Sequence, residues 1–258
     1  MIEIKHKAIA DGTSNQIAYD LLYSRREIQM RSSLYRWLIR LLAPQPNALL
    51  LDISCGQGQL VRLAAAEGLR AVGVDISFAG ISRGDFQQTQ QTTWIVGDGE
   101  KIPLATASVD YITHIGSLEH YQQPLDGVRE IARLLKPEGT ACILVPNMFG
   151  LFGNIIHVWR HGEVFDDGQP LQRYGTRKSW AYLLTKGGLQ ICDTLAYNEA
   201  TRPYNWADFW WLLQKPQRLI RLLTLNLLPL NLTNQFVFIC RKATVTAKAP
   251  YYPFMAEL

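Results

Sequence analysis

Leu50-Leu51-Asp52-Ile53-Ser54-Cys55-Gly56-Gln57-Gly58 decides the fold of this chain. The run from Ala48 to Ile53 is apolar except for one acid, as expected of a strand buried on both faces of a sheet. Two glycines follow in a short turn. Apolar residues then recur at Leu60, Leu63, Ala64 and Ala66 until Gly68, the signature of a helix and its stop. The same grammar repeats downstream. Arg70–Asp75, Trp94–Asp98, Val109–Ile115 and Thr140–Pro146 read as buried strands, with Leu125–Leu135 as the helix before the last of them. Strands alternating with helices at this spacing predict an α/β chain with a doubly wound parallel sheet.

Flanking segments extend this core. A helix is expected over about Tyr19–Leu42, stopped by Pro44 and Pro46, and another over Thr176–Lys186, ended by Gly187-Gly188. Leu189–Tyr197 and Gln235–Arg241 supply two more strands. The chain is read as one domain: a helical cap over 1–46, a ligand-binding core over 47–147, and insertions over 148–175 and 198–234 that face the substrate.

The turn after the first strand carries the chemistry. Glycines between a strand and a helix let backbone approach a nucleotide-like ligand closely. Val61 stands where a dinucleotide fingerprint needs its third glycine, and no G-K-[ST] phosphate loop is present. Asp52 at that strand end would repel a pyrophosphate and suits an ammonium or sulfonium. Asp75, twenty-three residues later at the tip of the second strand, can accept hydrogen bonds from two ribose hydroxyls. Asp98, at the end of the third, can accept from an adenine amine. Three acids at three successive strand tips are a far more specific pattern than any one of them.

These residues carry a resemblance. Leu50–Gly58, Val74-Asp75-Ile76-Ser77, Gly97-Asp98-Gly99-Glu100-Lys101-Ile102-Pro103-Leu104, Ser108–Ile112 with Ser117-Leu118-Glu119-His120, and Arg129–Gly139 resemble the successive motifs of class I S-adenosylmethionine-dependent methyltransferases. The similarity is to the ubiquinone- and menaquinone-biosynthesis type and spans about Asn47–Asn147. It implies a Rossmann-like seven-stranded sheet with an antiparallel last strand and helical lid insertions. It implies S-adenosylmethionine as cofactor, held by Asp52, Ser54, Cys55, Gly56, Gly58, Asp75, Ile76, Asp98, Gly99 and Glu100, with Ile115-Gly116 lying along it. Ser54 departs from the glycine usual at its place.

Methyl transfer from a sulfonium expels a neutral thioether, so alignment of acceptor, methyl and sulfur supplies most of the acceleration, up to roughly 7–11 kcal/mol. A base is needed only for a weakly acidic acceptor such as a hydroxyl. His120 is the candidate base, against a helix-capping or packing role. Tyr19 is the candidate aromatic contact to the sulfonium, against core packing. His157, Tyr174, Tyr204 and Trp206 are candidate acceptor-side residues, and no metal site is expected.

Composition bounds the rest. The 258 residues are 48% hydrophobic and 19% charged, with a net charge of +4, which excludes intrinsic disorder and gives no electrostatic case for nucleic acid. Cys55, Cys142, Cys192 and Cys240 form no C-x-x-C pair and read as reduced thiols, and the N-terminus lacks an apolar signal segment, so a cytoplasmic location is expected. The stretch 204–232 is aromatic, apolar and basic. It reads as a packed flap, an apolar substrate lid, or a candidate for peripheral membrane contact. The leading function is methylation of a small, partly apolar acceptor. A silent cofactor-binding scaffold, a nucleic-acid methyltransferase and an oxidoreductase are the alternatives; Gly116-Ser117-Leu118-Glu119 stands where an amino-methylating nucleic-acid enzyme shows Asn/Asp-Pro-Pro-aromatic.

Overall fold

A computed structural model describes residues 1–5, 14–26, 28, 30–84, 89–223 and 227–244. Its centre is a seven-stranded sheet made of β2 (Leu49–Ile53), β3 (Arg70–Asp75), β4 (Thr92–Val96), β5 (Val109–Ile115), β6 (Leu135–Pro146), β8 (Leu189–Tyr197) and β9 (Gln235–Lys242). The spatial order is β4-β3-β2-β5-β6-β9-β8, and β9 runs antiparallel to both its neighbours while the other pairings are parallel. The chain winds outward from β2 to β4, then crosses back to place β5 on the other side of β2. That reversal opens a crevice at the carboxyl ends of β2 and β5, the usual ligand position in such sheets.

Alternation along the strands explains why these segments read as unbroken apolar runs. Leu50 packs with α2 (Ser32–Leu41) and α3 (Gln59–Ala66) on one face, through Leu34, Leu38, Leu60 and Val61. Its neighbour Leu51 packs on the other face with α5 (Pro124–Leu134) and α7 (Arg177–Lys186), through Val128, Ile131, Trp180 and Leu184. Burying one such leucine or isoleucine side chain stabilises by roughly 1.5–3 kcal/mol, so two continuous clusters leave little room for a polar strand residue. The Trp180 indole N–H still finds a partner, donating to the Pro146 carbonyl at 2.8 Å.

Two expectations need correction. The single N-terminal helix over Tyr19–Leu42 is two helices, α1 (Asn15–Arg25) and α2, joined by a non-helical segment that contains Ile28 and Met30. The cap over 1–46 is also not wholly helical. Its first residues form β1 (Ile2–Lys5), which pairs antiparallel with β7 (Leu171–Tyr174) from the first insertion. Four-residue strands about 170 positions apart carry no local signal, and only their pairing makes them strands. Between β6 and β7 the first insertion also forms a π-helical turn over 151–155 and α6 (Ile156–His161). The second insertion forms α8 (Trp206–Leu213) and α9 (Pro216–Leu223). Among the described residues no helix is long and apolar enough to cross a membrane.

Candidate active site

The crevice is built by strand ends. Ser54 and Gly56 leave β2 with φ of 59° and 53°, a left-handed turn that lets Gly56 offer its N–H to Asp75 at 2.7 Å. The usual glycine at position 54 thus has a conformational cause. Serine adopts the same angle in this chain, with its hydroxyl 2.9 Å from that of Tyr121. The second Asp75 oxygen accepts the Ser77 N–H at 2.8 Å. Burial raises Asp75 to about 6, against these two backbone donors, which lower it. α1 lies over the crevice and is fixed by Asp20, which accepts from the Ser77 hydroxyl at 2.6 Å and the Ala79 N–H at 3.0 Å.

The resulting pocket has a distinctive lining. Asp75, Asp98 and Glu100 line it, together with the rings of Tyr19, Tyr23, Tyr35 and Tyr121, and no lysine or arginine does so among the described residues. Carboxylates and aromatic faces without a compensating cation favour a positively charged, partly aromatic ligand and disfavour phosphates. The Tyr19 hydroxyl is buried with no partner among the described residues, a polar atom that a ligand would satisfy.

Of the residues expected at this pocket, the structure brings together Tyr19, Ser54, Cys55, Gly56, Asp75, Ile76, Asp98, Gly99, Glu100, Ile115, Gly116 and His120. Asp52 and Gly58 are not in its lining. Asp52 is buried behind the turn, accepts the Thr113 hydroxyl at 2.7 Å, and is raised by burial to about 7. Gly58 faces Trp94, whose ring would lie 2.1 Å from a Cβ at that position. Sequence reading missed Met30, Tyr35, Tyr121 and Gln169, which reach the pocket from four different segments.

A second cavity of ≈ 470 Å³ adjoins the first. Met30, Gly116, His120 and Gln169 line both. His120 is buried on a short 3-10 turn after β5, held by the β1–β7 ribbon. Its Nδ1 lies 2.5 Å from the Leu171 carbonyl of β7, and Arg173 of the same strand donates to the Tyr121 carbonyl while pairing with Glu3 of β1 at 2.7 Å. The imidazole Nε2 lies 3.8 Å from Glu119 and 3.7 Å from Asp167. Burial lowers His120, with Asp167 opposing, and burial raises Glu119 to about 8, so the neutral imidazole and the neutral carboxyl are the favoured forms near pH 7.

His157 and Tyr174 line this second cavity, with His161 and Phe165. His157 sits 4.5 Å, centroid to centroid, from His161 and 5.4 Å from Phe165. Tyr204 and Trp206 do not line it. Tyr204 borders a separate cavity, and Trp206 is 75% exposed. Within the acceptor-side cavity, Glu119 Oε2, Gln172 Oε1, Gln235 Oε1 and Asn234 Nδ2 are buried without hydrogen-bond partners among the described residues. The two glutamine oxygens are acceptors, the asparagine nitrogen is a donor, and the neutral Glu119 carboxyl can do either. Leaving each unpaired costs roughly 1–3 kcal/mol, so a ligand with several donors would bind with that gain.

Comparison with known proteins matches residues 51–143 to the methyltransferase domain family. The chain is 32% identical over 121 residues to the ubiquinone/menaquinone biosynthesis C-methyltransferase UbiE of Rubrivivax gelatinosus, an alignment covering 47% of this chain and 48% of that one. It spans about half or less of the length of the curated relatives it matches. A solved S-adenosylmethionine-dependent methyltransferase from Mesorhizobium loti superposes with a TM-score of 0.60 at 15% identity, over 82% of this chain and 98% of that one. Geranyl diphosphate C-methyltransferase from Streptomyces coelicolor A3(2), solved with S-adenosyl-L-homocysteine, superposes with a TM-score of 0.58 at 15% identity, over 82% and 76%.

Proposed function

From a chain whose core is a class I S-adenosylmethionine-dependent methyltransferase domain, we propose that the whole acts as a small-molecule methyltransferase. The acidic, tyrosine-lined pocket takes the cofactor, and the adjoining ≈ 470 Å³ cavity takes the acceptor. One observation carries this reading: the two spaces share Met30, Gly116, His120 and Gln169 as a common boundary. A reacting methyl passes only between ligands in direct contact, so two spaces that adjoin along a common boundary are the geometry such a transfer needs.

The lining fits the cofactor. Asp75 has acceptor capacity beyond its two backbone donors, and Tyr19 and Tyr23 on α1 bring two aromatic side chains to the lining, the residue type that stabilises a sulfonium. When bound, S-adenosylmethionine supplies an electrophilic methyl whose displacement releases a neutral thioether. The protein then has to hold the acceptor in line and, where the acceptor is a hydroxyl, remove its proton. His120 is suited to that. A carbonyl can only accept, so the contact with Leu171 puts the imidazole proton on Nδ1 and leaves Nε2, beside the cavity-lining residues Glu119 and Asp167, as the atom that can accept a proton. The unpaired oxygens of Gln172 and Gln235, with the Glu119 carboxyl beside them, favour a mid-sized acceptor that bears hydroxyl or amine donors. Its apolar part would meet Phe152, Ile156 and Phe165.

Calorimetric titration with S-adenosylhomocysteine tests the first half: binding is expected, and failure to bind would overturn the reading. Incubation with methyl-labelled S-adenosylmethionine and a panel of hydroxylated and amine-bearing aromatic acceptors tests the second, by transfer of label to an organic product.

A further inference from the structure

α8 and α9 are built inside out. On α8 the stripe Trp206, Phe209, Trp210, Leu213 (spacing i, i+3, i+4, i+7) is exposed, with Trp206 at 75% and Trp210 at 61%, while the acid Asp208 is buried on the protein side. Asp208 pairs there with Arg31 at 2.6 Å. α9 repeats the inversion. Leu219, Ile220 and Leu223 face outward, whereas Arg218 lies over the Trp211 ring at 3.9 Å and Arg221 pairs with Glu199. A surface helix in water turns its apolar stripe to the core and its charges out. This helical pair does the reverse, and the apolar face so exposed is rich in tryptophan, the residue favoured at membrane–water boundaries.

Beside this pair lies a third cavity of ≈ 590 Å³ that, among the described residues, shares no lining residue with the candidate active site. Arg36, Arg40 and Arg202 line it, and no Asp or Glu does so among the described residues. Arg36 and Arg40 each stand 4.8 Å over the Tyr204 ring. Arg36 is partly neutralised by Glu67 at 3.2 Å, whereas Arg40 and Arg202 have no carboxylate partner among the described residues. Trp37 from α2 and Leu222 and Leu223 from α9 give the same cavity an apolar side. The acids nearest in sequence to α8 and α9, Glu199 and Asp208, are already paired, so this face is net positive.

We propose that α8 and α9 seat in the interface of an anionic lipid bilayer, with the Arg40/Arg202 cavity taking the phosphate of one phospholipid headgroup. Guanidinium groups bind phosphate in bidentate fashion, and an acyl chain leaving that headgroup would follow Trp37 and Leu223 toward the apolar stripe. The apolar stripe, Arg40 and Arg202 line neither space of the candidate active site, whereas Arg221 on the inner side of α9 and its partner Glu199 line the acceptor-side cavity.

Co-sedimentation of the full chain with phosphatidylcholine vesicles, with and without 25 mol% phosphatidylglycerol, tests it. Binding is expected only to the anionic vesicles, with weakening as salt rises from about 0.05 to 0.2 M. R40E/R202E and, separately, F209S/W210S are each expected to lower partitioning at least tenfold while keeping the wild-type circular dichroism melt. Equal binding to neutral vesicles, no vesicle binding, or retention of binding by both variants would overturn it. So would two other results. One is calorimetric binding of glycerol 3-phosphate with no vesicle binding, which would mark a site for a soluble anion. The other is a sedimentation-velocity dimer that F209S/W210S dissociates with no vesicle binding, which would mark a protein interface.

Discussion

The Nδ1 atom of His120 lies 2.5 Å from the carbonyl oxygen of Leu171, a contact between a turn after β5 and a strand of the β1–β7 ribbon. It fixes the tautomer, and with it the identity of the atom that can accept a proton. Burial holds the imidazole below its ordinary value, so it stays in the basic form at and above neutral pH. His120→Gln is therefore expected to lower turnover on a hydroxyl acceptor by about 10²–10⁴-fold. The loss of turnover should exceed any loss of S-adenosylhomocysteine affinity at the cofactor pocket, which His120 also lines, because the variant removes the proton acceptor. Full turnover by the variant would remove the base role.

Cofactor affinity should depend on pH through Asp75. Its carboxyl is raised to about 6 by burial, so in the free protein it is protonated below that value, and binding a cation or accepting ribose hydroxyls requires the ionised form. Affinity is expected to fall by about tenfold between pH 7 and pH 5 on this account. Asp75→Asn should bind at least tenfold more weakly at pH 7 and lose most of that pH dependence. Calorimetry at the two pH values on both proteins checks it.

Glu119 should make the fold itself sensitive to base. Burial raises its carboxyl from 4.5 in the unfolded chain to about 8 in the folded one, so the folded state binds the proton more tightly. Its contribution is complete below about pH 4.5 and is lost as pH rises toward 8, with a slope of up to about 1.4 kcal/mol per pH unit. Urea unfolding from pH 5 to 8 should show wild-type stability falling more steeply than that of Glu119→Gln. Parallel curves would show that Glu119 ionises freely in the folded chain.

Legibility in the sequence followed burial. Leu50 and Leu51 face opposite clusters, so β2 had to read as an apolar run, and the acids at strand tips Asp75 and Asp98 stood out against it. The β1–β7 ribbon was hidden because its pairing is between distant segments, although it supplies the Leu171 and Arg173 contacts that hold the His120 turn. Tyr35, Tyr121 and Met30 gather at the pocket only through the winding of the chain, and nothing near them in sequence announces a ligand. On α8 the apolar period was legible but its direction was not. Tyr204 and Trp206 were expected at the acceptor, and the fold turns that segment toward solvent.

Gly58 shows how a motif residue can serve packing where the resemblance implied ligand contact. Its φ is 70°, and a Cβ there would meet two Trp94 ring carbons at 2.1 and 2.2 Å. Trp94 also packs against Gly73 on β3, where a Cβ would lie 3.0 Å from the same ring. The indole therefore needs two glycines, one in the turn and one in the neighbouring strand. Gly58→Ala combines a left-handed side-chain penalty of about 1–2 kcal/mol with an overpacking penalty of about 1–3 kcal/mol. An unfolding midpoint lower by the equivalent of about 2–5 kcal/mol is expected in urea, with the slope unchanged. Adding Trp94→Leu should relieve the steric part and leave the backbone part. If Gly58→Ala alone unfolds at the wild-type midpoint, the Trp94 ring does not lie against Gly58.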